Sequence, residues 1–379
     1  MAKTFGILTS GGDSPGMNAA VVSVARYAEQ YGVELMGIRR GYNGLLGKSE
    51  NELDDIRKLR SETVLDILDM RGTYLRTARC KEFFLEDVLD KVAHDLKYKH
   101  KLDGLVIIGG DGSYRGALDL CKRGIRCIGI PGTIDNDLPY TEATLGYDTA
   151  VNACVEAVRS IRATSRSHDR PHVVEVMGRH CGDIAMKTAM ATGAEFVIVP
   201  EMKWDIRDVI RRLNEQIANG NPRATVIICE NAWANGNMAE YPWQELLREN
   251  GVRVHSDSPF STRMLEHVLR IACHTDARST VIGYTQRGAI PTAYDSAFAF
   301  EAGLMAVELL LHETPPEGDG YAIGVRDGRV FHTSLRDAAN KVDPRPFNRK
   351  MYEIINSLPY LPREDDLILV QASRSGAAK

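Results

Sequence analysis

The stretch IIGGDGSYRGA, residues 107–117, decides how the chain is read. An apolar run ends in glycines, as buried strands do where they hand over to a loop that approaches phosphate through backbone N–H groups at a helix start. Yet Asp111 stands inside that loop. A carboxylate there would repel a phosphate unless a cation lay between them, and Mg²⁺ is the obvious one, because it prefers carboxylate, water and phosphate oxygens. The loop therefore points to a metal–nucleotide ligand. An aspartate that only caps the following helix is the alternative.

The chain echoes this unit. FGILTSGGDSPGMNAAV (5–21) and GLVIIGGDGSYRGAL (104–118) both run strand, Gly-Gly-Asp, small hydroxyl, helix. Further compact runs bounded by glycine or polar residues read as buried strands: VELMGI (33–38), RCIGIPG (126–132), HVVEVMG (172–178), FVIVPE (196–201), TVIICE (225–230) and STVIGY (279–284). Helical patterns lie between them. After Ser14 and Pro15, read as N-cap and first-turn residue, Met17, Ala20, Val21, Val24 and Ala28 recur at helical spacing. GVRDGRVFH (324–332) reads as a hairpin around Asp-Gly. The fold class is α/β, doubly wound, with ligands expected at the carboxyl ends of the strands. Residues 230–259 read as a surface loop or inserted excursion, and the tail from Pro362 as ordered only in part.

Bulk properties exclude several classes. At 379 residues the chain suits two domains. A net charge of −4 without a basic block argues against nucleic acid or an anionic membrane surface. No signal-peptide pattern or bilayer-length apolar run occurs. The seven cysteines form no C-x-x-C, so reduced thiols in a cytoplasmic enzyme are expected. GYNGLLGKS (41–49) misses the Walker spacing, so Gly47-Lys48-Ser49 reads as surface loop. The glycines at 110, 112 and 116 miss the dinucleotide fingerprint by one residue, and neither G-x-S-x-G nor H-E-x-x-H is present.

A second loop, IPGTIDNDLPY (130–140), follows the next strand. In extended backbone Asp135 and Asp137 would point the same way. One could hold the metal while its neighbour accepts a proton from an attacking hydroxyl. An Asx-rich turn is the alternative.

LTSGGDSPGMNAA (8–20), IGGDGSYRGA (108–117), PGTIDND (131–137), VVEVMGRHCGD (173–183) and GYTQRGAIP (283–291) together resemble the 6-phosphofructokinases of ATP-dependent type, in that family's motif order. The resemblance implies two doubly wound parallel-sheet domains with helices on both faces: a nucleotide-binding domain of 1–146 and 286–335, and a sugar-phosphate-binding domain of 147–285 and 336–379. It implies Asp135 as general base for the 1-hydroxyl of fructose 6-phosphate, flanked by Thr133 and Asp137. Gly12 and Arg79 would face the transferred phosphoryl group of ATP. Asp111 and Asp137 would sit near Mg²⁺. Gly112, Ser113 and Gly116 would cradle the remaining donor phosphates, with Tyr42 and Cys80 towards the adenosine. Met177, Gly178, Arg179, Glu230, Tyr284 and Arg287 match the fructose site, joined by Arg170 and Arg278 from an adjacent subunit of a homotetramer.

The sequence departs from the family in places. Tyr284 replaces a histidine of many bacterial relatives, and Cys80, Lys81 and Phe84 differ from the residues expected near the nucleotide. The bacterial effector cluster keeps Arg26, Arg162 and Glu195, but Val22, Asn219 and Asn221 replace basic residues, so anionic effectors should bind weakly there. Pyrophosphate-using relatives usually carry aspartate at position 112 and lysine at 132, both glycine here. A pyrophosphate-dependent enzyme, a related kinase with another acceptor and a non-catalytic nucleotide sensor are the competing readings.

Overall fold

The computed structural model describes residues 3–47, 55–237, 243–252, 261–340 and 345–357. The chain divides into two compact units, 1–150 with 284–346 and 151–283 with 347–379. The apolar runs are strands: Thr4–Thr9 (β1), Glu34–Ile38 (β2), Ile56–Leu59 (β3), Gly104–Gly109 (β4), Cys127–Pro131 (β5), His172–Val176 (β6), Phe196–Ile198 (β7), Thr225–Cys229 (β8), Arg278–Val281 (β9), Tyr321–Arg326 (β10) and Arg329–Ser334 (β11).

The first unit holds a sheet in the order β11-β10-β5-β4-β1-β2-β3. Its interior pairings are parallel, while the edge strands β3 and β11 run antiparallel to their neighbours. Both faces are dry, which explains why the strands read as continuous apolar runs. Along β4, Leu105 and Ile107 enter one cluster with Leu8, Tyr114 and Leu120. Val106 and Ile108 enter the other with Ile7, Met17, Val21 and Ala302. Helices Met17–Gln30 (α1) and Ala293–His312 (α5) share the second face and are tied by the Ser23 hydroxyl donating to the Phe300 carbonyl at 2.6 Å. Between β1 and β4 the chain order reverses direction across the sheet, and such a switch point opens a crevice at the strands' carboxyl ends.

The second unit holds a parallel sheet, β9-β6-β8-β7. Trp204 packs edge-on to Trp233, with ring centroids 5.6 Å apart, and its indole N–H donates to the Ala232 carbonyl. The 230–259 excursion is therefore more than a surface loop: Gly236–Asn237 pair with Trp204–Asp205, and Trp243–Glu249 is helical. Its residues 238–242 and 253–260, like Lys48, Ser49 and the tail from Pro362, lie outside the described residues. Among the described residues no helix is long and apolar enough to cross a membrane.

Two local expectations are corrected. Ser14 does not cap α1, which starts at Met17 behind Gly16 (φ 89°); the Ser14 hydroxyl donates instead to the Leu145 carbonyl. Residues 336–346, expected with the sugar-phosphate domain, belong to the first unit, because helix Leu335–Ala339 packs against Asp111–Lys122 (α2). The Asp327-Gly328 hairpin stands as read, both residues having positive φ.

One buried relay ties α2 to the sheet. The Tyr114 and Tyr140 hydroxyls lie 2.8 Å apart, and Tyr140 donates to the Ile323 carbonyl at 2.7 Å. Tyr140→Phe strands both the Tyr114 hydroxyl and the Ile323 carbonyl, whereas Tyr114→Phe strands neither. Urea unfolding should show a loss of about 1–3 kcal/mol for the former and about 0.5–1.5 kcal/mol for the latter. Equal losses would exclude the relay.

Candidate active site

In the first unit, three loops leave the carboxyl ends of β1, β4 and β5 side by side. Backbone bonds fix their spacing: Ser10 N–H donates to Ile108 O at 2.9 Å and Gly132 N–H to Gly109 O at 3.0 Å. The contact leaves no room for a side chain at Gly109. A Cβ on Gly109 would lie 2.6 Å from the Ser10 carbonyl oxygen and 2.5 Å from the Ser113 hydroxyl.

The first loop is held from outside by residues 76–78. Thr9 Oγ1 donates to Arg76 O at 2.9 Å, Thr77 Oγ1 to Gly11 O at 2.9 Å, and Gly11 N–H to Ala78 O at 3.4 Å. This docking brings the exposed Arg79 and the half-buried Cys80 to that loop's border. Arg287 closes the other side. Its guanidinium donates to the Asp13 carbonyl at 2.9 Å and lies 3.7 Å from the Asp13 carboxylate. A Cβ on Gly12 would meet Arg287 Nη1 at 2.3 Å. Arg287, expected at the fructose, thus also frames the loop expected to face the transferred group.

The second loop leads into α2. Gly110 O accepts the Ser113 and Tyr114 N–H groups at 3.0 and 3.1 Å, and Asp111, the helix's first residue, pairs with Arg115 at 3.2 Å. The N-cap of α2 is Gly110, which has no side chain to cap with. Gly112 is exposed, with nothing within 4 Å of where a Cβ would stand. Gly116 is different: a Cβ there would enter the rings of Tyr42 and Phe83 at 2.9–3.0 Å. These rings stack at 4.0 Å, and the buried Tyr42 donates its hydroxyl to Ser113 O at 2.5 Å. Gly116 and Tyr42 therefore pack together against the start of α2.

The third loop carries the paired aspartates. Asn136 between them has φ 51°, so the extended alternation that would aim Asp135 and Asp137 alike does not hold. Asn136 is instead a pin: its Oδ1 accepts Thr144 N–H at 3.1 Å, while Thr144 Oγ1 donates to Thr133 O at 2.6 Å. Asp135 N–H donates to Thr133 Oγ1 at 3.2 Å, and Thr133 lies against Gly110 of the second loop. Tyr284, 81% exposed, accepts the Arg287 N–H on its carbonyl at 3.0 Å.

In the second unit Met177, Gly178, Arg179 and Glu230 lie at the carboxyl ends of β6 and β8, and Arg170 and Arg278 at the amino ends of β6 and β9. Arg179 follows Met177 and Gly178 in a left-handed conformation (φ 55°), and Glu230 accepts its N–H at 2.9 Å. Glu201 accepts the Gly182 N–H at 2.7 Å ahead of the helix Asp183–Thr192 (α4), and burial pushes its carboxyl up. Arg170 and Arg278 share one carboxylate, Asp276, at 3.1 and 2.7 Å. His172 beside them is pushed down to about 4, mainly by burial, so it adds no charge near neutrality. Sequence reasoning missed Asp13, Glu201 and Asp276: a lone carboxylate carries no spacing signal, and each finds its partner only in the fold. The effector remnants are committed elsewhere. Glu195 accepts from Arg162, Asn221 and the Thr225 N–H, and Arg26 lies over the Phe300 ring at 5.5 Å.

Gly12→Ala tests the first-loop geometry. The clash is with the flexible end of Arg287, so melting should be near normal. Displacing the guanidinium should cost roughly 100-fold in turnover, the scale of a misplaced active-site group. Unchanged steady-state rates would show that Arg287's place does not matter.

The phosphofructokinase family model matches residues 4–310. The chain is 43% identical over 336 residues to an ATP-dependent 6-phosphofructokinase of Lactobacillus johnsonii, covering 88% of this chain and 93% of that one. It is 39% identical over 356 residues to one from Clostridium acetobutylicum, covering 94% and 99%. Among solved structures it resembles the phosphofructokinase of Saccharomyces cerevisiae, with a TM-score of 0.74 and 30% identity over 89% of this chain, though it spans only 45% of that longer one. On both the sequence match and the fold, the chain belongs to the phosphofructokinase family.

Proposed function

We propose that the protein transfers the γ-phosphoryl group of ATP to the 1-hydroxyl of fructose 6-phosphate, giving fructose 1,6-bisphosphate. The observation that carries this reading is the switch-point construction: three loops locked edge to edge, offering backbone N–H groups, an arginine border and the buried Asp135. Phosphoryl transfer asks chiefly for positioning and charge stabilisation, which such a framework supplies.

Asp135 accepts the proton of the attacking 1-hydroxyl. The Gly12 N–H and Arg79 take up charge on the transferred group. Ser113 and the N–H groups at the start of α2 hold the other donor phosphates. Among the described residues no three His, Cys, Asp or Glu side chains gather to hold a metal. Asp111 and Asp137 nonetheless fit Mg²⁺, which is commonly held by one or two carboxylates with substrate phosphates and water completing its shell. Bound there, it would neutralise phosphate charge. Arg170, Arg179, Arg278 and Arg287 supply cations for the sugar phosphate, and Met177, Gly178, Glu230 and Tyr284 border it. Arg170 and Arg278 act on a neighbouring subunit's sugar, in a homotetramer.

The donor reading rests on two positions. Above Gly112 the surface is open, so an α-phosphate and its nucleoside can pass. At Gly132 a Cβ would lie 2.8 Å from Ile108 and 2.9 Å from Met17, leaving no place for the lysine of pyrophosphate users.

Asp135→Asn should lower turnover by ~100-fold or more, the usual worth of a general base, with the fold intact. Mixing that variant with Arg170→Ala chains should restore part of the activity if sites are shared between subunits. Near-normal turnover in the first case, or inert hybrids in the second, would refute those roles. Because a side chain at 112 meets nothing, Gly112→Asp should fold normally and lose ATP use far more than any pyrophosphate use. Wild-type rates at matched Mg²⁺ that favour pyrophosphate would overturn the donor assignment.

A further inference from the structure

Asp295, third residue of α5, has no solvent exposure. Its carboxylate serves the start of a second helix, Tyr147–His168 (α3). Oδ1 accepts the Gly146 N–H at 2.9 Å, and Oδ2 accepts the Thr149 N–H at 2.8 Å and the Thr149 hydroxyl at 2.5 Å. Such N–H groups at a helix start have no partner inside the helix. Thr292 completes the knot: it accepts the Asp295 N–H on its hydroxyl at 3.3 Å, donates that hydroxyl to Asp148 at 2.6 Å, and donates its own N–H to Thr149 Oγ1 at 3.0 Å.

This knot is continuous with the third loop of the candidate site. Next to Gly146, Leu145 donates its N–H to Pro131 O at 2.7 Å and accepts the Ser14 hydroxyl of the first loop. Thr144 holds Thr133 and Asn136, as described above. We infer that Asp295 is a positioning residue for phosphoryl transfer, setting the Thr133–Asp137 loop through Gly146, Leu145 and Thr144 without touching substrate. The inference rests on the reading of that loop as the bearer of the base.

The carboxyl is also poised to titrate. Burial pushes it up to about 6, against the hydrogen bonds from Thr149 and Gly146 and with help from the charge of Asp148 on α3. Tyr294, its neighbour on α5, is itself pushed up by burial and by Asp295, Asp148 and Glu142. From α1 comes only the backbone turn at Gly16, where a Cβ would lie 3.7 Å from that of Asp295. A proton on Asp295 turns one acceptor oxygen towards donors it can no longer serve. Stability moves the other way. A carboxyl raised from 3.8 to about 6 binds its proton more tightly in the folded chain, so its contribution to stability grows as pH falls through 6. Positioning and stability are thus opposed between pH 7 and pH 4.

Steady-state kinetics with ATP and fructose 6-phosphate from pH 5 to 8, alongside thermal melts, test this on Asp295→Asn and Thr149→Val. At pH 8 Asp295→Asn should lower kcat by about tenfold or more while both KM values hold, the pattern of a misplaced reacting group. Its kcat profile should lack the wild-type limb near pH 6. The melting difference between the two should shift in favour of the wild type as pH falls. Thr149→Val removes a hydrogen bond to the charged form, so its limb should move to higher pH; it keeps the test open if Asp295→Asn does not fold. Wild-type kcat and limb in the variants, or losses that only track melting, overturn the positioning role. A wild type without turnover on these substrates would instead sink the proposed function.

Discussion

The site depends on one steric constraint: three strand ends lie so close that backbone meets backbone. Gly132 donates to Gly109, and the space beside Gly109 is filled by Ser10 and Ser113. This closeness aims the three loops at a common place. It also explains why the site needs few side chains, because the strand ends are fixed by bonds that no rotamer change can loosen. Their apolar flanks on both sheet faces leave the loops as the part of the sheet free to carry chemistry.

In each of the two units, carboxylates place arginines. Asp13 lies by Arg287, Asp276 gathers Arg170 and Arg278, and Glu195 holds Arg162. The pairs at Asp13 and Asp276, whose carboxylates are open to solvent, add little stability. Their effect is orientation, since a guanidinium already turned by a carboxylate loses less freedom when a phosphate arrives. Arg270 lies 3.9 Å from Asp276 as well, so with Glu266 the cluster holds three guanidiniums against two carboxylates.

The central strands were legible because each is a run too apolar for anything but a two-sided core, whereas the edge strand β3, with Arg57 and Lys58 exposed, carried no such signal; the Gly-Gly-Asp loops were legible because their residues are adjacent in sequence. What escaped depends on distant partners. Ser14 looked like a cap until Leu145, over a hundred residues away, took its hydroxyl. Asp135 and Asp137 looked aligned because a pattern of alternation carries no sign of Asn136's left-handed turn. Nothing local to Gly116 announces that Tyr42 and Phe83 stack against it. Asp295 sits in an ordinary helical sequence, and only the meeting of two helix starts gives it a role.

None of the seven cysteines forms a disulfide, and all but Cys80 are buried. Burial pushes the Cys154, Cys229 and Cys273 thiols up, away from the thiolate that oxidants and alkylating agents require. Chemical vulnerability is therefore concentrated at one sulfur, beside Arg79 at the border of the first loop. Oxidative damage would strike the border of the first loop before any part of the core, and one thiol-selective probe would report from that border alone.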